Sequence, residues 1–229
     1  MVSRTKSAAR PADVIDNKPK LPRAAKKASY PGFVEPALAT LRSNPPGGAQ
    51  WLHEIKFDGY RLQARIRPNG VKLLTRSGLD WTAKFGVALA GALADLPVEE
   101  AVIDGEVVAK GRGGAPDFSA LQDALSIGRT DQLIFYAFDL LYLDGYDLRR
   151  APLIERKAAL AAIIGAPGIV RYSEHFEEDG PRLLRHACRL GLEGVICAEL
   201  SRRGAQRQRP KPAIAGSRPA GHLFPATLT

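Results

Sequence analysis

The sequence predicts an α+β fold made of two mainly antiparallel sheets with flanking helices. Strand-like segments follow one another through short turns in the first half, and Pro68-Asn69-Gly70 is the clearest hairpin turn among them. Further along the chain, strand-like segments alternate with segments of helical spacing. The chain has 229 residues, of which 45% are hydrophobic, so it can bury the core that such a fold requires.

The individual elements follow from the spacing of the apolar residues. Period-two alternation and short buried apolar runs predict strands over 51–57, 62–66, 71–76, 101–109, 133–143, 169–172 and 194–198. Apolar residues three or four positions apart predict helices over 84–96, 117–125, 153–164 and 181–190. The first three strands form an antiparallel meander, and a cleft is expected between two sheets.

Both ends of the chain differ from the middle in composition. Residues 1–28 contain eight Lys or Arg and two Asp, and residues 201–229 contain six Lys or Arg and no acidic residue. Neither segment has a sustained apolar pattern, so we expect two disordered basic tails around a folded unit at 29–200. Basic tails bind nucleic acid through counterion release, but they also serve simply to keep a protein in solution. The charge alone does not separate these two roles.

Several classes of protein are disfavoured. No run approaches the roughly 18 to 20 apolar residues of a membrane span, and no apolar segment follows the first residues, so a cytoplasmic protein is expected. Cys188 and Cys197 are too few for a disulfide framework and have no zinc-ligand spacing with a histidine. The phosphate-binding loop, the serine nucleophile elbow and the His-Glu-x-x-His zinc motif are all absent from the sequence.

Lys56 is the first candidate for chemistry. It ends an apolar strand and precedes an Asp58-Gly59 turn, with Arg61 nearby. A lysine that is partly desolvated beside another cation loses its proton more readily, which makes it a plausible nucleophile. The alternative interpretation is an exposed lysine at a strand end, followed by an ordinary hairpin turn.

Carboxylates within apolar segments are the second signal. Glu106 lies inside the run 101–109, and Glu193 precedes the apolar strand 194–198. Acids in such surroundings are costly unless they are paired or bind a cation, and two of them near Lys56 would suit Mg²⁺ on a triphosphate. Phe138 could offer a ring face to a base, although this residue taken alone fits a place in the core better.

These residues belong to a series of signatures that resembles the adenylation domain of ATP-dependent DNA ligases, of the bacterial end-joining ligase D type. Glu54 to Arg61 carries the Lys-x-Asp-Gly-x-Arg signature of covalent nucleotidyltransferases. The later signatures follow in the family's order: Thr75-Arg76-Ser77-Gly78, Ile103-Asp104-Gly105-Glu106, Pro116-Asp117-Phe118, Phe138-Asp139-Leu140-Leu141-Tyr142 and Glu193-Gly194-Val195-Ile196. Together they cover about 33–199.

The resemblance implies a covalent nucleotidyltransferase fold, and it also implies roles for particular residues. Lys56 would attack ATP and hold AMP, Glu54 and the backbone of Ile55 would contact the adenine edge, and Phe138 would stack on the ring. Arg61 and Arg76 would contact ribose, phosphate or the DNA 5′-phosphate. Glu106 would bind ribose or metal, and Glu193 would bind metal, which implies Mg²⁺ or Mn²⁺ as the cofactor beside ATP. The implied partners are a nicked or broken DNA duplex and end-joining proteins, and we expect a monomer.

The resemblance ends after Glu199. In the family, a basic segment with an aromatic-Leu-Lys-x-Lys signature follows the last strand, and then an oligonucleotide-binding barrel. Residues 201–229 carry no such signature, and Lys211 is the one lysine after Glu199. A shortened domain without the barrel is therefore expected. The sequence leaves two functions open: an ATP-dependent DNA ligase, or a catalytically impaired remnant that binds nucleotide or DNA.

Overall fold

The computed structural model describes residues 19–111, 114–166, 168–177, 179–190, 192–201 and, by its backbone, 213–216. The strands found in these residues are β1 (Lys26–Lys27), β2 (Thr40–Arg42), β3 (Trp51–Lys56), β4 (Tyr60–Arg67), β5 (Gly70–Thr75), β6 (Ala101–Ala109), β7 (Leu133–Leu143), β8 (Tyr146–Asp147), β9 (Val170–Tyr172), β10 (His175–Phe176), β11 (Gly194–Glu199) and β12 (Ala213–Gly216). The helices are α1 (Thr82–Ala94), α2 (Phe118–Ser126), α3 (Leu153–Ile164) and α4 (Gly180–Arg189), with a 3₁₀ turn at Thr130–Gln132.

The strands form two sheets. In the larger sheet the order is β1-β8-β7-β6-β4-β5, and β9 adds to β7 in parallel. In the smaller sheet the order is β10-β3-β11-β12-β2, and β12 pairs in parallel with β2. All the other pairings among the described strands are antiparallel. The predicted α+β class with two mainly antiparallel sheets is therefore confirmed.

The main core joins the larger sheet to α1, α2 and α3. Its fully buried side chains include Leu62, Leu73, Phe85, Leu89, Leu121, Phe135 and Leu160. The chain bends within α1 at Gly86, whose φ of 82° is left-handed and whose missing Cβ leaves room for the Thr130 side chain. In the described part of the chain, no helix has the length and apolarity that crossing a membrane requires.

A second, smaller core lies on the smaller sheet. Leu183 and Ala187 of α4 pack against Val195 and Cys197 of β11, and Trp51 and Ile55 of β3 extend this contact. Side chains alternate between the two faces of a strand. The neighbouring positions of β3 and β11 therefore point away from α4, towards the larger sheet.

The predicted disorder of the two tails is wrong in two places. Lys26–Lys27 pairs with Tyr146–Asp147, and the Ala28 N–H donates to the Gly145 carbonyl at 3.0 Å. Ala213–Gly216 pairs with β11 and β2. The exposed side chains of Lys26 and Lys27 explain the error, because main-chain pairing with a sheet edge needs no apolar pattern. The other residues of the two predicted tails, apart from 19–25 and Ser201, lie outside the described residues.

Candidate active site

A cleft of about 840 Å³ lies between the two sheets. The smaller sheet contributes Glu54, Lys56 and Ile196, and the larger sheet contributes Arg61 and Glu106. Phe138 and Arg76 also line the cleft, as does the segment 34–39. A concave site of this volume, whose wall combines apolar and charged side chains, suits a ligand of nucleotide size.

Strand β3 places two of the predicted residues on the same wall. Glu54 and Lys56 are two positions apart, so both side chains face the cleft, while Ile55 between them packs towards α4. The Lys56 ammonium forms an ion pair with the Glu193 carboxylate, which precedes the adjacent strand β11. Lys56 is 23% exposed, so it is neither fully buried nor the freely exposed strand-end lysine of the alternative interpretation.

The turn after Lys56 has a packing requirement that an ordinary hairpin turn lacks. A Cβ at Gly59 would overlap the carbonyl oxygen of Val107 in β6. Only glycine therefore allows β4 to begin this close to β6. Asp58-Gly59 thus serves as the point where the chain crosses from the smaller to the larger sheet beside Lys56.

Arg61 is held by the wall of the cleft. Its guanidinium donates two hydrogen bonds to the Asp104 carboxylate, at 3.1 and 2.7 Å, and one to the Ala37 carbonyl at 2.8 Å. The guanidinium also lies 5.2 Å from the centroid of the Phe138 ring. This set of contacts fixes the cation beside the aromatic ring and ties the segment 34–39 to β4.

Gln63 holds the same segment from the neighbouring position on that face of β4. Its side-chain oxygen accepts from the Val34 N–H at 3.2 Å, and its amide nitrogen donates to the Val34 carbonyl at 2.8 Å. An irregular segment thus has its backbone groups satisfied without belonging to a strand. The segment 34–39 was not predicted from the sequence to belong to the site.

Glu106 is an acid of the cleft with a strongly perturbed pKa. Burial raises its pKa to about 8, against the opposing effect of Arg61 and Lys56, and the charges of Asp104 and Glu193 raise it further. A bound cation would favour the ionised form of such a carboxylate. Among the described residues, no three or more His, Cys, Asp or Glu side chains form a metal site on their own. Two hard oxygen donors nevertheless fit Mg²⁺, which takes few protein ligands and completes its shell with water and phosphate oxygens.

Two buried cations of α3 lie behind the cleft. Lys157 contacts the Glu54 carboxylate at 2.6 Å, and Arg156 binds Asp139 through two hydrogen bonds, at 2.7 and 2.8 Å. Burial raises the pKa of Glu54, and the Lys157 ammonium opposes that shift. Neither cation was predicted from the sequence to belong to the site. The signal was present, because three adjacent charged residues, Glu155, Arg156 and Lys157, interrupt the apolar pattern of the helix over 153–164.

The predicted site residues therefore come together in one place. Glu54, Ile55, Lys56, Arg61, Arg76, Glu106 and Phe138 all line the cleft, and Glu193 reaches it through its ion pair with Lys56.

Comparison with known proteins agrees with this arrangement. The family model described as "ATP dependent DNA ligase domain" matches residues 34–209. The multifunctional non-homologous end joining protein LigD of Pseudomonas aeruginosa is 44% identical over 172 residues, which are 74% of this chain and 20% of that protein. The prophage-derived DNA ligase-like protein LigB of Bacillus subtilis is 32% identical over 166 residues, covering 72% of this chain and 60% of that protein.

Solved structures give the same result. A mycobacterial DNA ligase D, complexed with ATP and MES, superimposes with a TM-score of 0.69 and 33% identity over 79% of this chain and 59% of that chain. The chain spans about a fifth of the length of the P. aeruginosa LigD protein. Fold, cleft and family match agree, and the chain belongs to the ATP dependent DNA ligase domain family.

Proposed function

We propose that this chain is the adenylation domain of an ATP-dependent DNA ligase that acts in end joining. The observation that carries the proposal is the position of Lys56, which ends β3 inside the cleft, two residues from Glu54 and in contact with Glu193. An amine so placed has cations, carboxylates and an aromatic ring around it within one pocket. Family membership supports the same activity.

The first step joins Lys56 to AMP. The Lys56 amine, after losing a proton, attacks the α-phosphorus of ATP, so that an N–P bond forms and the bond to the pyrophosphate oxygen breaks. Glu54 and the backbone of Ile55 contact the adenine edge, and Phe138 stacks on the ring. Arg61 and Arg76 orient ribose and phosphate. Phosphoryl transfer of this kind depends on in-line positioning and charge stabilisation, which these residues supply.

Glu106 and Glu193 are the residues that would hold Mg²⁺ or Mn²⁺, and the ion, when bound, neutralises phosphate charge. Their closeness to Lys56 supports this assignment, since burial and neighbouring acids disfavour the ionised form of Glu106 until a cation is present.

The later steps act on DNA. An oxygen of a DNA 5′-phosphate attacks the phosphorus of the bound AMP, the N–P bond breaks, and Lys56 is regenerated. The 3′-hydroxyl of the adjoining strand then displaces AMP and seals the break. The names of the end-joining relatives support a nicked or broken duplex as substrate and end-joining proteins as partners. We further propose that the chain acts as a monomer in the cytoplasm.

The proposal is tested by incubating the protein with α-³²P-ATP and Mg²⁺ and then adding a nicked duplex. We expect a label on the denatured protein that acid removes, as a phosphoramidate requires, and its transfer to the DNA. Label that forms but never leaves the protein would show self-adenylation without ligation, whereas the second candidate, a remnant that only binds nucleotide or DNA, would carry no covalent label. That candidate rests on the missing aromatic-Leu-Lys-x-Lys signature. Absence of any label would contradict the proposed activity of this chain.

A further inference from the structure

Lys157 is a buried cation that connects the two walls of the cleft. Its side chain has no exposed surface, and its Nζ donates to Glu54 Oε1 at 2.6 Å, to the Ser173 carbonyl at 3.0 Å and to the Phe138 carbonyl at 3.3 Å. An ammonium has three N–H donors, so each donor has an acceptor here. Because β3 belongs to the smaller sheet and β7 to the larger one, Lys157 ties the sheets together behind the cleft.

Stability alone is a weak reason for this arrangement. The attraction within a buried ion pair is largely offset by the desolvation of both charges, and apolar replacements of such pairs are often equally stable. The position of Lys157 also connects two residues of the cleft, since its ammonium contacts both the carboxylate of Glu54 and the backbone of Phe138. Both of these residues are among those proposed to contact the base.

The charge state of Glu54 depends on this neighbour. Burial raises the pKa of Glu54, Lys157 provides the main opposing effect, and the charge of Asp139 raises the pKa further. Ser173 assists Lys157 through a side-chain hydrogen bond to Glu54. The remaining titratable groups next to the ammonium are Tyr172, whose ring centroid lies 4.8 Å from it, and His175, whose pKa burial and Lys157 both lower. Without Lys157, burial of Glu54 would favour a neutral carboxyl group.

The two forms of a carboxyl group recognise different bases. An ionised carboxylate only accepts hydrogen bonds, whereas a protonated carboxyl also donates one. The 6-amino group of adenine is a donor, and the 6-oxo group of hypoxanthine is an acceptor. A carboxylate at the edge of the base therefore favours adenine, and a neutral carboxyl group does not.

We propose that Lys157 is a positioning residue for base selection: it holds Glu54 as an acceptor facing the cleft and thereby sets the preference for a 6-amino purine over a 6-oxo purine. The inference rests on the proposed function, because it takes the nucleotide base to lie against Glu54. It adds a residue of α3 that does not itself touch the nucleotide.

The test measures binding of AMP and IMP by isothermal titration calorimetry with the full chain, since neither nucleotide carries a pyrophosphate leaving group and no reaction follows. A hydrogen bond to a charged group is worth roughly 10- to 100-fold in affinity, so we expect the wild-type protein to prefer AMP by about that factor. In Lys157→Met the ratio of the two affinities should fall to about one. If Lys157→Met does not melt cooperatively, Lys157→Gln takes its place. This variant keeps hydrogen-bond donors but carries no charge, and it should also bring the ratio of the two affinities to about one.

A double-mutant cycle shows whether Lys157 acts through Glu54. Glu54→Gln should abolish the preference, and adding Lys157→Met to it should leave the ratio unchanged. The matched control is Arg149→Met, which breaks an ion pair with Asp147 outside the cleft and should lower the melting temperature without changing the ratio.

Each other outcome is decisive. A wild-type protein that prefers AMP, with variants at Lys157 that keep the preference, overturns the inference and leaves the proposed function intact. A further loss of preference when Lys157→Met is added to Glu54→Gln also overturns it. A wild-type protein that binds neither nucleotide overturns the proposed function and this inference together.

Discussion

Arg61 and Asp104 form a two-pronged ion pair across β4 and β6, from Nε to Oδ1 at 3.1 Å and from Nη2 to Oδ2 at 2.7 Å. The third hydrogen bond of the guanidinium, to the Ala37 carbonyl, brings the segment 34–39 against the same cleft. A guanidinium has five N–H donors, so this arrangement leaves two of them for a ligand. Arg61 is therefore oriented before a nucleotide arrives, which reduces the entropy cost of binding.

Asp104→Asn tests this orientation. The substitution removes the negative charge opposite Arg61, so we expect AMP affinity to fall about 10-fold and the free energy of unfolding to fall by about 1 to 3 kcal/mol. Calorimetry and urea denaturation measure the two effects. The control is Glu177→Gln, whose carboxylate is exposed and lies 4.0 Å from His175, and which should change stability by less than about 0.5 kcal/mol. Equal effects from both substitutions would contradict this account of Arg61.

Lys56 is predicted to be the site of covalent AMP. Lys56→Ala should abolish labelling by α-³²P-ATP, and Lys56→Arg should do the same, because a guanidinium keeps its charge and is no nucleophile at neutral pH. Both variants should melt as cooperatively as the wild type. Lys110→Ala, at an exposed lysine outside the cleft, serves as the control and should label normally. Persistent label on Lys56→Ala would place the nucleophile elsewhere.

Gly59 is predicted to be irreplaceable for a steric reason. A Cβ there would overlap the Val107 carbonyl oxygen, so Gly59→Ala should lower the free energy of unfolding by about 1 to 3 kcal/mol and disturb Lys56 nearby. Gly91→Ala is the matched control. Gly91 is exposed inside α1 with open space around its Cβ position, so alanine should raise stability by about 0.5 to 1 kcal/mol. Urea denaturation of both variants measures whether the free energy of unfolding falls in Gly59→Ala and rises in Gly91→Ala.

The stability of the protein should depend on pH through His53. This histidine is buried, its Nδ1 lies 3.1 Å from Cys197 Sγ, and burial lowers its pKa while the charge of Asp179 partly opposes the shift. The unfolded state therefore binds the proton more readily than the folded state does. The stabilisation is fully present above the unfolded pKa of about 6.5 and is lost as the pH falls towards the lower pKa of the folded state.

His53→Asn isolates this effect, because asparagine keeps a polar group near Cys197 and does not titrate. As the pH falls from 7.5 to 5, the free energy of unfolding of the wild type should fall relative to that of the variant. The relative change should be at most about 1.4 kcal/mol per pH unit. Urea denaturation at several pH values measures it. The carboxylates titrate in both proteins, so their contribution to the pH dependence of stability cancels in this difference. Glu106 is one of them, and its raised pKa would change stability with pH in the opposite direction to His53. A pH-independent difference would contradict the prediction.

Much of the fold followed from apolar periodicity because most elements bury one face. The helix at 153–164 and the strands at 101–109 and 133–143 were predicted with the bounds that the structure shows. Short strands such as Lys26–Lys27 could not be predicted, since their hydrogen bonds are made by the main chain and leave no mark on side-chain pattern.

The candidate site was predictable only where its residues lie in local signatures. Lys56 and Arg61 lie in the same short stretch, so sequence alone linked them. Lys157 and Glu54 are 103 positions apart and meet only because α3 packs behind β3. Contacts of that range depend on the tertiary arrangement, and spacing along the chain gives no information about them.

The placement of Glu54 and Lys56 on one face of β3 sets a fixed distance between their side chains. Two residues of extended chain rise about 6.6 Å, which fixes how far the base-contacting carboxylate stands from the reactive amine. Loss or gain of a single residue between them would turn one of the two side chains towards α4. Gain of two residues would keep both in the cleft but lengthen the distance between them by about a further 6.6 Å. Natural and engineered variants of this domain should therefore accept substitutions at Ile55 far more readily than any change in strand length.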